Sequence, residues 1–341
     1  MGKRDRFSRD LVILACCCGL LGSLFIAEET ARANQNPDKS VIELFLALSR
    51  SGDLLAVYRS DGSAQLWDVR GKRWLRDFQG NHLAEMVVAF SPSGKDFVSG
   101  GPVDGLTFWT VETGKQVGII KTPINIVLSA LALSPDGSTV AAGFSDGTLK
   151  TWDVASGLEQ QTLVGHKESV SVLAFSPNGR WLASGSWDKT VCLWEVATGE
   201  KLVSLTGHTG WVQALDFTAD SKRIASGGFE GLTNIWEVPS GRNLFALPNE
   251  NFGVALAVTG VAFSPDGMTL AVIGMGGQGG LWNAVSGRKI RDLSNLSAQA
   301  NKVSFSSDGK QLVVAGPNVP VQVLDPDTGG IVSSFSAMTT K

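Results

Sequence analysis

The chain has 341 residues, of which 43% are hydrophobic and 18% are charged, and its formal net charge is −3. This composition suits one large or two ordinary globular domains and excludes a disordered chain. The mildly acidic balance argues against a general nucleic-acid-binding surface.

The N-terminal segment has the three-part layout of a secretory signal peptide. Residues 1–10 are cationic on balance, residues 11–27 are uncharged and mostly apolar, and Ala31 and Ala33 form the A-x-A pattern that signal peptidase recognises. We therefore expect cleavage before Asn34 and export to the periplasm or the extracellular space. The alternative is an uncleaved membrane anchor, although the apolar run is slightly shorter than the roughly 20 residues of a spanning helix.

Three of the four cysteines lie in this apolar run, and lipid attachment at the first of them, Cys16, is a further alternative. Cleavage leaves only Cys192, so the mature chain cannot form an internal disulfide or a cysteine metal site. The mature chain has 24 Lys and Arg against 28 Asp and Glu, a net charge of −4.

A sevenfold repeat covers residues 41–337, between a short linker at 34–40 and a tail at 338–341. A tetrapeptide such as LWDV or LWEV recurs every 42 to 46 residues, and a turn such as SPDG begins 18 residues before its Trp position in every copy. This constant offset indicates a rigid unit without internal insertions. The residues in the Trp position are Trp67, Trp109, Trp152, Trp194, Trp236, Trp282 and Leu324.

Each unit has the pattern of four short strands separated by turns. In the fourth copy the strands are predicted at 170–175, 181–186, 190–196 and 201–206. One four-stranded sheet cannot cover both of its faces, whereas seven sheets stacked around an axis bury them against each other. The predicted fold is therefore all-β.

These tetrapeptides and turns resemble the WD40 family, and the resemblance covers residues 41–337. It implies a seven-bladed β-propeller of four-stranded antiparallel blades. Residues 28–37 make a poor strand and residues 330–335 a good one. We therefore expect the last blade to be completed by its own C-terminal strand rather than by a borrowed N-terminal one.

The resemblance also implies a buried structural relay of His, Ser or Thr, Asp and Trp in the blades. The fourth and fifth blades match it best, with His166, Ser184, Asp188 and Trp194, and with His208, Ser226, Glu230 and Trp236. The second blade keeps Ser99 and Trp109, but its His82 and Asp104 are each one residue out of register. The other blades depart further, with Asp61 but Val57 in the first, Ala142 in the third, Gly276 in the sixth and Asn318 in the seventh.

The sequence offers little catalytic chemistry. All three histidines lie at or beside the relay position, which leaves none as a general base, and they have no partner cysteines for a zinc site. The G-x-S-x-G pattern around Ser145 falls in a turn between two strands, although a nucleophile elbow needs a following helix. The G-x-G-x-x-G pattern in residues 274–280 falls in the same turn of the sixth blade, where a mobile glycine loop is the better interpretation. We predict no catalytic residue, metal site or cofactor.

Function is then expected on the loop-bearing rim, and the protein is predicted to be a monomeric, non-enzymatic exported scaffold for a protein or peptide partner. It would contact a membrane only through an uncleaved N-terminal segment.

Large aromatic side chains near a central funnel suit binding hot spots, although Trp187 and Trp211 could equally pack on the next blade. The alternative is a small-ligand-binding or hydrolytic propeller that uses funnel carboxylates. The candidate partner-binding residues are Trp187, Trp211, Phe229, Lys167, Glu168 and Ser145.

Overall fold

The structure is a computed structural model that describes residues 43–59, 64–78, 87–91, 94–101, 105–123, 126–248 and 257–337. The predicted signal peptide, linker and C-terminal tail lie outside the described residues, as do Asp61, His82 and Asp104. The described residues contain no helix of the length and apolarity that crossing a membrane requires.

The described chain forms seven four-stranded antiparallel sheets, each built from consecutive strands. In the first three blades the strands are β1 (Glu43–Leu48), β2 (Leu54–Arg59), β3 (Ala64–Asp68), β4 (Arg73–Asp77), β5 (Val87–Phe90), β6 (Asp96–Gly101), β7 (Gly105–Thr110), β8 (Gln116–Ile120), β9 (Leu128–Leu133), β10 (Thr139–Phe144), β11 (Thr148–Asp153) and β12 (Glu159–Val164). In the fourth and fifth blades they are β13 (Val170–Phe175), β14 (Trp181–Ser186), β15 (Thr190–Glu195), β16 (Lys201–Thr206), β17 (Val212–Phe217), β18 (Arg223–Gly228), β19 (Leu232–Glu237) and β20 (Asn243–Pro248). In the last two they are β21 (Val258–Phe263), β22 (Thr269–Gly274), β23 (Gln278–Asn283), β24 (Lys289–Leu293), β25 (Lys302–Phe305), β26 (Leu312–Ala315), β27 (Val321–Leu324) and β28 (Ile331–Phe335).

The sheets close into a ring, which confirms the predicted seven-bladed β-propeller. The first strand of each blade packs against the first strand of the next, and β25 of the last blade packs against β1 of the first. The last blade is completed by β28, which pairs with β27, as the sequence predicts. The ring therefore closes without a strand shared between its first and last blades.

The core lies between the blades. Seven clusters of buried apolar side chains occupy the seven junctions between neighbouring blades. The junction of the last and first blades joins Val313 and Val323 to Leu55 and Trp67. This packing buries the apolar faces that one sheet cannot cover by itself.

The turn that begins 18 residues before each Trp position has the same hydrogen bond in all seven blades. A Ser or Thr hydroxyl at its first residue accepts from the backbone N–H five residues later, at 2.9 to 3.1 Å. In the fourth blade this bond joins Trp181 N–H to Ser176 Oγ, while Gly179 adopts a φ of 71°. The hydroxyl and the glycine explain why the marker recurs as S-P-D-G or S-P-N-G.

Candidate partner-binding rim

One end of the propeller has the turns between the second and third strands and the connections that lead into each first strand. In blades three to six, the first residue of the turn donates its N–H to a carbonyl of that connection, at 2.7 to 3.0 Å. We call these four turn residues the rim positions. They are Ser145, Trp187, Phe229 and Met275, and their acceptors are Val127, Ser169, Trp211 and Ala257.

Three aromatic side chains meet at the junction of the fourth and fifth blades. The rings of Trp187 and Trp211 are stacked, with centroids 4.6 Å apart and planes 13° apart. Phe229 lies against Trp211 at 5.3 Å. All three side chains are half-buried, so they pack on each other across the junction and still present surface to solvent. We refer to them as the aromatic cluster.

Charged residues adjoin the aromatic cluster. Lys167 and Glu168 are exposed in the connection before β13, and Lys189 is exposed two residues after Trp187. The backbone N–H of Lys167 donates to Asp188 Oδ2 at 2.9 Å, which holds this connection beside the turn that includes Trp187. Ser145 occupies the equivalent rim position of the third blade.

The relay residues of the fourth blade lie behind this rim. His166 Nδ1 lies 2.9 Å from Asp188 Oδ2 and its Nε2 lies 2.8 Å from Ser184 Oγ. The Trp194 indole N–H donates to the same Ser184 Oγ at 2.8 Å. Thr190 completes the set, because its N–H and its hydroxyl both donate to Asp188 Oδ1. The four predicted residues thus form one hydrogen-bonded group that joins the rim to the Trp position.

The electrostatics of this group favour an ion pair. Burial lowers the pKa of His166, but hydrogen bonds with Asp188 and Cys192 outweigh it and raise the pKa to about 9. Burial raises the pKa of Asp188, while hydrogen bonds from His166 and Thr190 bring it far below its usual range. At neutral pH the pair is therefore an imidazolium and a carboxylate, and the His166 side chain is 0% exposed.

The fifth blade repeats the arrangement with a glutamate. His208 lies 2.5 Å from Glu230 Oε1 through Nδ1 and 2.7 Å from Ser226 Oγ through Nε2. The Trp236 indole N–H donates to Ser226 at 2.8 Å, and Glu230 Oε2 accepts the Gly210 N–H at 2.9 Å. Burial raises the pKa of Glu230, but the hydrogen bond and charge of His208 together with backbone N–H groups outweigh it, so the pKa is lowered.

Two blades without the full relay differ from each other at the serine position. In the second blade the Trp109 indole N–H donates to Ser99 Oγ at 2.9 Å. In the first blade Val57 occupies the serine position, and the buried Trp67 Nε1 has no hydrogen-bond acceptor among the described residues.

The carboxylates and the serine hydroxyl at this end of the propeller show little capacity for acid–base chemistry. Four hydrogen-bond donors surround the Asp188 carboxylate, and His208 and Gly210 occupy both oxygens of Glu230. Within the described ranges, the Ser145 hydroxyl has no bond to a histidine or a carboxylate, and β11 follows its turn. No group of three His, Cys, Asp or Glu side chains in the described chain could hold a metal ion.

The glycine-rich stretch 274–280 runs from the end of β22 through the turn at 275–277 into β23, and Gly277 in that turn has a φ of 78°. A Cβ at Gly277 would lie 2.3 Å from the Leu296 carbonyl oxygen. The Gly276 N–H donates to the Ala298 carbonyl at 3.1 Å. Here the glycines allow the turn to pack closely on the connection before β25, and no helix follows that could bind a phosphate.

Sequence reasoning did not identify Thr190, Gly210 or Met275. The available signal was repetition, since an aspartate followed two residues later by threonine occurs in the same turn of the third and fourth blades. Thr148 donates to Asp146 there as Thr190 donates to Asp188.

Comparison with known proteins supports the repeat assignment. The WD40 family, described as "WD domain, G-beta repeat", matches residues 114–153, 157–195 and 199–237. These three matches include the full relays of the fourth and fifth blades.

Similarity to individual proteins covers about a third of the chain. A small ribosomal subunit protein RACK1y of Oryza sativa subsp. japonica is 28% identical over 32% of this chain and 34% of its own length. A Regulatory-associated protein of TOR 1 of Arabidopsis thaliana is 29% identical over 35% of this chain and 10% of its own length. A Telomerase protein component 1 of Mus musculus is 29% identical over 33% of this chain and only 4% of its own length. The chain therefore matches a small part of these relatives.

Proposed function

We propose that this chain is an exported, non-catalytic scaffold that binds a protein or peptide partner through the rim of the fourth and fifth blades. The observation on which this proposal rests is the aromatic cluster. Trp187, Trp211 and Phe229 are held in place by packing and by backbone hydrogen bonds, yet each keeps exposed surface. Rigid, half-exposed aromatic side chains give a large contact area at low entropic cost, which is typical of binding hot spots.

The similar proteins support the general class. WD40 propellers of this kind are in general protein-interaction scaffolds and are mainly non-catalytic. The saturated hydrogen bonding of Asp188 and Glu230 agrees with a structural role for these carboxylates and gives the hydrolytic alternative less support.

Export rests on the sequence of the N-terminal segment alone. The cationic start, the apolar run and the A-x-A pattern favour cleavage before Asn34, and a monomer is the expected state of the mature chain.

The test is affinity capture from the cell envelope fraction with wild type and with a Trp187→Ala/Trp211→Ala double variant. Trp74→Ala is the matched control, because Trp74 is 45% exposed but lies on β4 at the outer edge of the first blade. We expect the double variant to lose a specific partner that wild type and Trp74→Ala both retain, with all three folded. Equal capture by all three proteins would refute the proposal.

A further inference from the structure

One polar contact joins blades that are not neighbours in the ring. Arg50 lies in the turn between β1 and β2 of the first blade, and its Nη2 donates to the Phe217 carbonyl of the fifth blade at 3.0 Å. Its Nη1 also lies 3.7 Å from Asp216 Oδ1. Because two blades separate the first and fifth along the shorter arc of the ring, this contact spans the central channel, at the end opposite the rim.

The contact extends to the two intervening blades. Asp216 Oδ2 accepts the Phe263 N–H of the sixth blade at 2.7 Å. The Ser304 hydroxyl of the seventh blade donates to the Arg50 carbonyl at 2.8 Å. One hydrogen-bonded set therefore links the first blade to the fifth, sixth and seventh.

The side chains of this set depart from the repeat. The repeat position of Arg50 is proline in four of the six blades other than the first. The repeat position of Asp216 is alanine in five of the six blades other than the fifth. The sixth is Ser304 itself, which occupies that same position in the seventh blade. Three residues that differ from the commonest residue of their repeat position, each in a different blade, thus meet at one end of the channel. Random divergence of the repeats would not place all three together.

The placement of this set matters because of how the ring closes. The last blade ends with its own β28, and the first blade begins with its own β1, so no strand is shared between them. The seam relies on inter-blade packing, including Trp67 against Phe335. The polar set crosses this seam, since it links the first blade to the three blades on the other side.

We infer that Arg50, Asp216 and Ser304 form a clasp that closes the propeller across the seam between its first and last blades. The clasp is partly shielded from solvent, since the side chains of Arg50 and Asp216 are 41% and 21% exposed. Burial raises the pKa of Asp216, whereas the Arg50 charge and the Phe263 N–H oppose that rise. This inference concerns closure of the fold and is independent of the proposed binding function.

The test uses variants that restore the residues of the other repeats, Arg50→Pro and Asp216→Ala, together with their double variant. We expect each single substitution to lower the thermal midpoint by about 2–4 °C. The double variant should lose less than the sum of the two single losses, because both substitutions remove the same contact between Arg50 and Asp216. Ser307→Pro is the matched control: it places proline at the same turn position of the seventh blade, and its midpoint should stay within about 1 °C of wild type. Unchanged midpoints in the single variants, or additive losses in the double variant, would overturn the clasp.

Hydrogen exchange locates the effect and covers the case in which a variant is only partly stable. Asp216→Asn keeps the size of the side chain and an acceptor for the Phe263 N–H but removes the charge. We expect it to speed amide exchange in β1 and β25 by about tenfold relative to β14, on the far side of the ring. Equal exchange changes in the three strands would contradict a role at the seam.

Discussion

At the scale of single residues, the relay makes buried indole and imidazole groups compatible with a protein core. Buried N–H groups are costly without an acceptor, and Ser184 and Ser226 each satisfy a tryptophan and a histidine together. The resemblance to a known family indicated these residues. The sequence could not indicate the distances, because they depend on how the connection before each blade packs on its turn.

The His166–Asp188 pair makes stability depend on pH. The pKa of His166 is about 9 in the folded protein against 6.5 without such partners. The contribution of this pair to the unfolding free energy is therefore fully present below pH 6.5 and is lost as the pH rises through 9. We expect the unfolding free energy of wild type to fall by up to about 3 kcal/mol over this range relative to His166→Asn. Denaturant titrations of both proteins at a series of pH values measure the difference, and a constant difference would contradict the raised pKa.

The first and second blades provide a matched pair at the serine position. In the described part of the chain Trp67 Nε1 has no acceptor beside Val57, whereas the Trp109 indole N–H donates to Ser99. We expect Val57→Thr to raise the unfolding free energy by about 1 kcal/mol, since it offers Trp67 an acceptor at nearly unchanged volume. Ser99→Val should lower it by about 1–3 kcal/mol. Chemical denaturation tests both variants, and a loss in both would mean that the acceptor is not the deciding factor.

At the scale of strands, close contacts between blades fix which residues the second strand can hold. In blades two to five a glycine in the second strand faces a branched side chain of the next blade. A Cβ there would lie only 2.4 to 2.6 Å from that side chain. The glycines are Gly100, Gly143, Gly185 and Gly227, and the facing residues are Leu128, Val170, Val212 and Val258.

The sixth blade reverses these sizes. Ile273 occupies the glycine position, and Ala300 occupies the position of the branched residue, and both belong to the cluster between the sixth and seventh blades. The larger side chain of the pair therefore lies on the second strand of the sixth blade, and the smaller one lies on the blade that follows. The sequence alone shows both residues but not that they face each other, because inter-blade register is set only when the ring closes.

The close contact between the glycine and the branched side chain predicts that substitutions at the two positions compensate for each other. Gly185→Ala should lower the unfolding free energy by about 1–3 kcal/mol, because its Cβ would lie 2.6 Å from Val212 Cγ1. The Gly185→Ala/Val212→Ala double variant should be more stable than the sum of the two single losses predicts. A double-mutant cycle by urea denaturation measures the coupling, and strict additivity would exclude the contact as its cause.

At the scale of the whole molecule, much of the architecture was predictable from the repeat. The constant offset of 18 residues between turn and Trp position gave seven units, and the four predicted strands of the fourth blade match β13 to β16. The closure by β28 was predictable from the residues at the chain's two ends. The Arg50–Asp216 contact was not, because nothing in the repeat pattern shows which residues approach each other across the channel.

Export makes a prediction at the N-terminus of the mature chain. N-terminal sequencing of the protein purified from the envelope or the medium should give a first residue of Asn34, since Ala31 and Ala33 form the recognition pattern for cleavage. A chain that still begins at Met1 would favour the uncleaved anchor instead.

The proposed function requires the rim at the fourth and fifth blades to contact a protein partner. A photo-crosslinking amino acid at Lys167, which is exposed beside the aromatic cluster, tests this contact directly in the cell. The same amino acid at Leu158, which is 69% exposed in the turn between β11 and β12 at the opposite end of the strands, is the control. We predict a discrete covalent adduct with one partner from position 167 and none from position 158. The same adducts from both positions, or no adduct from position 167 while wild-type capture succeeds, would contradict the claim.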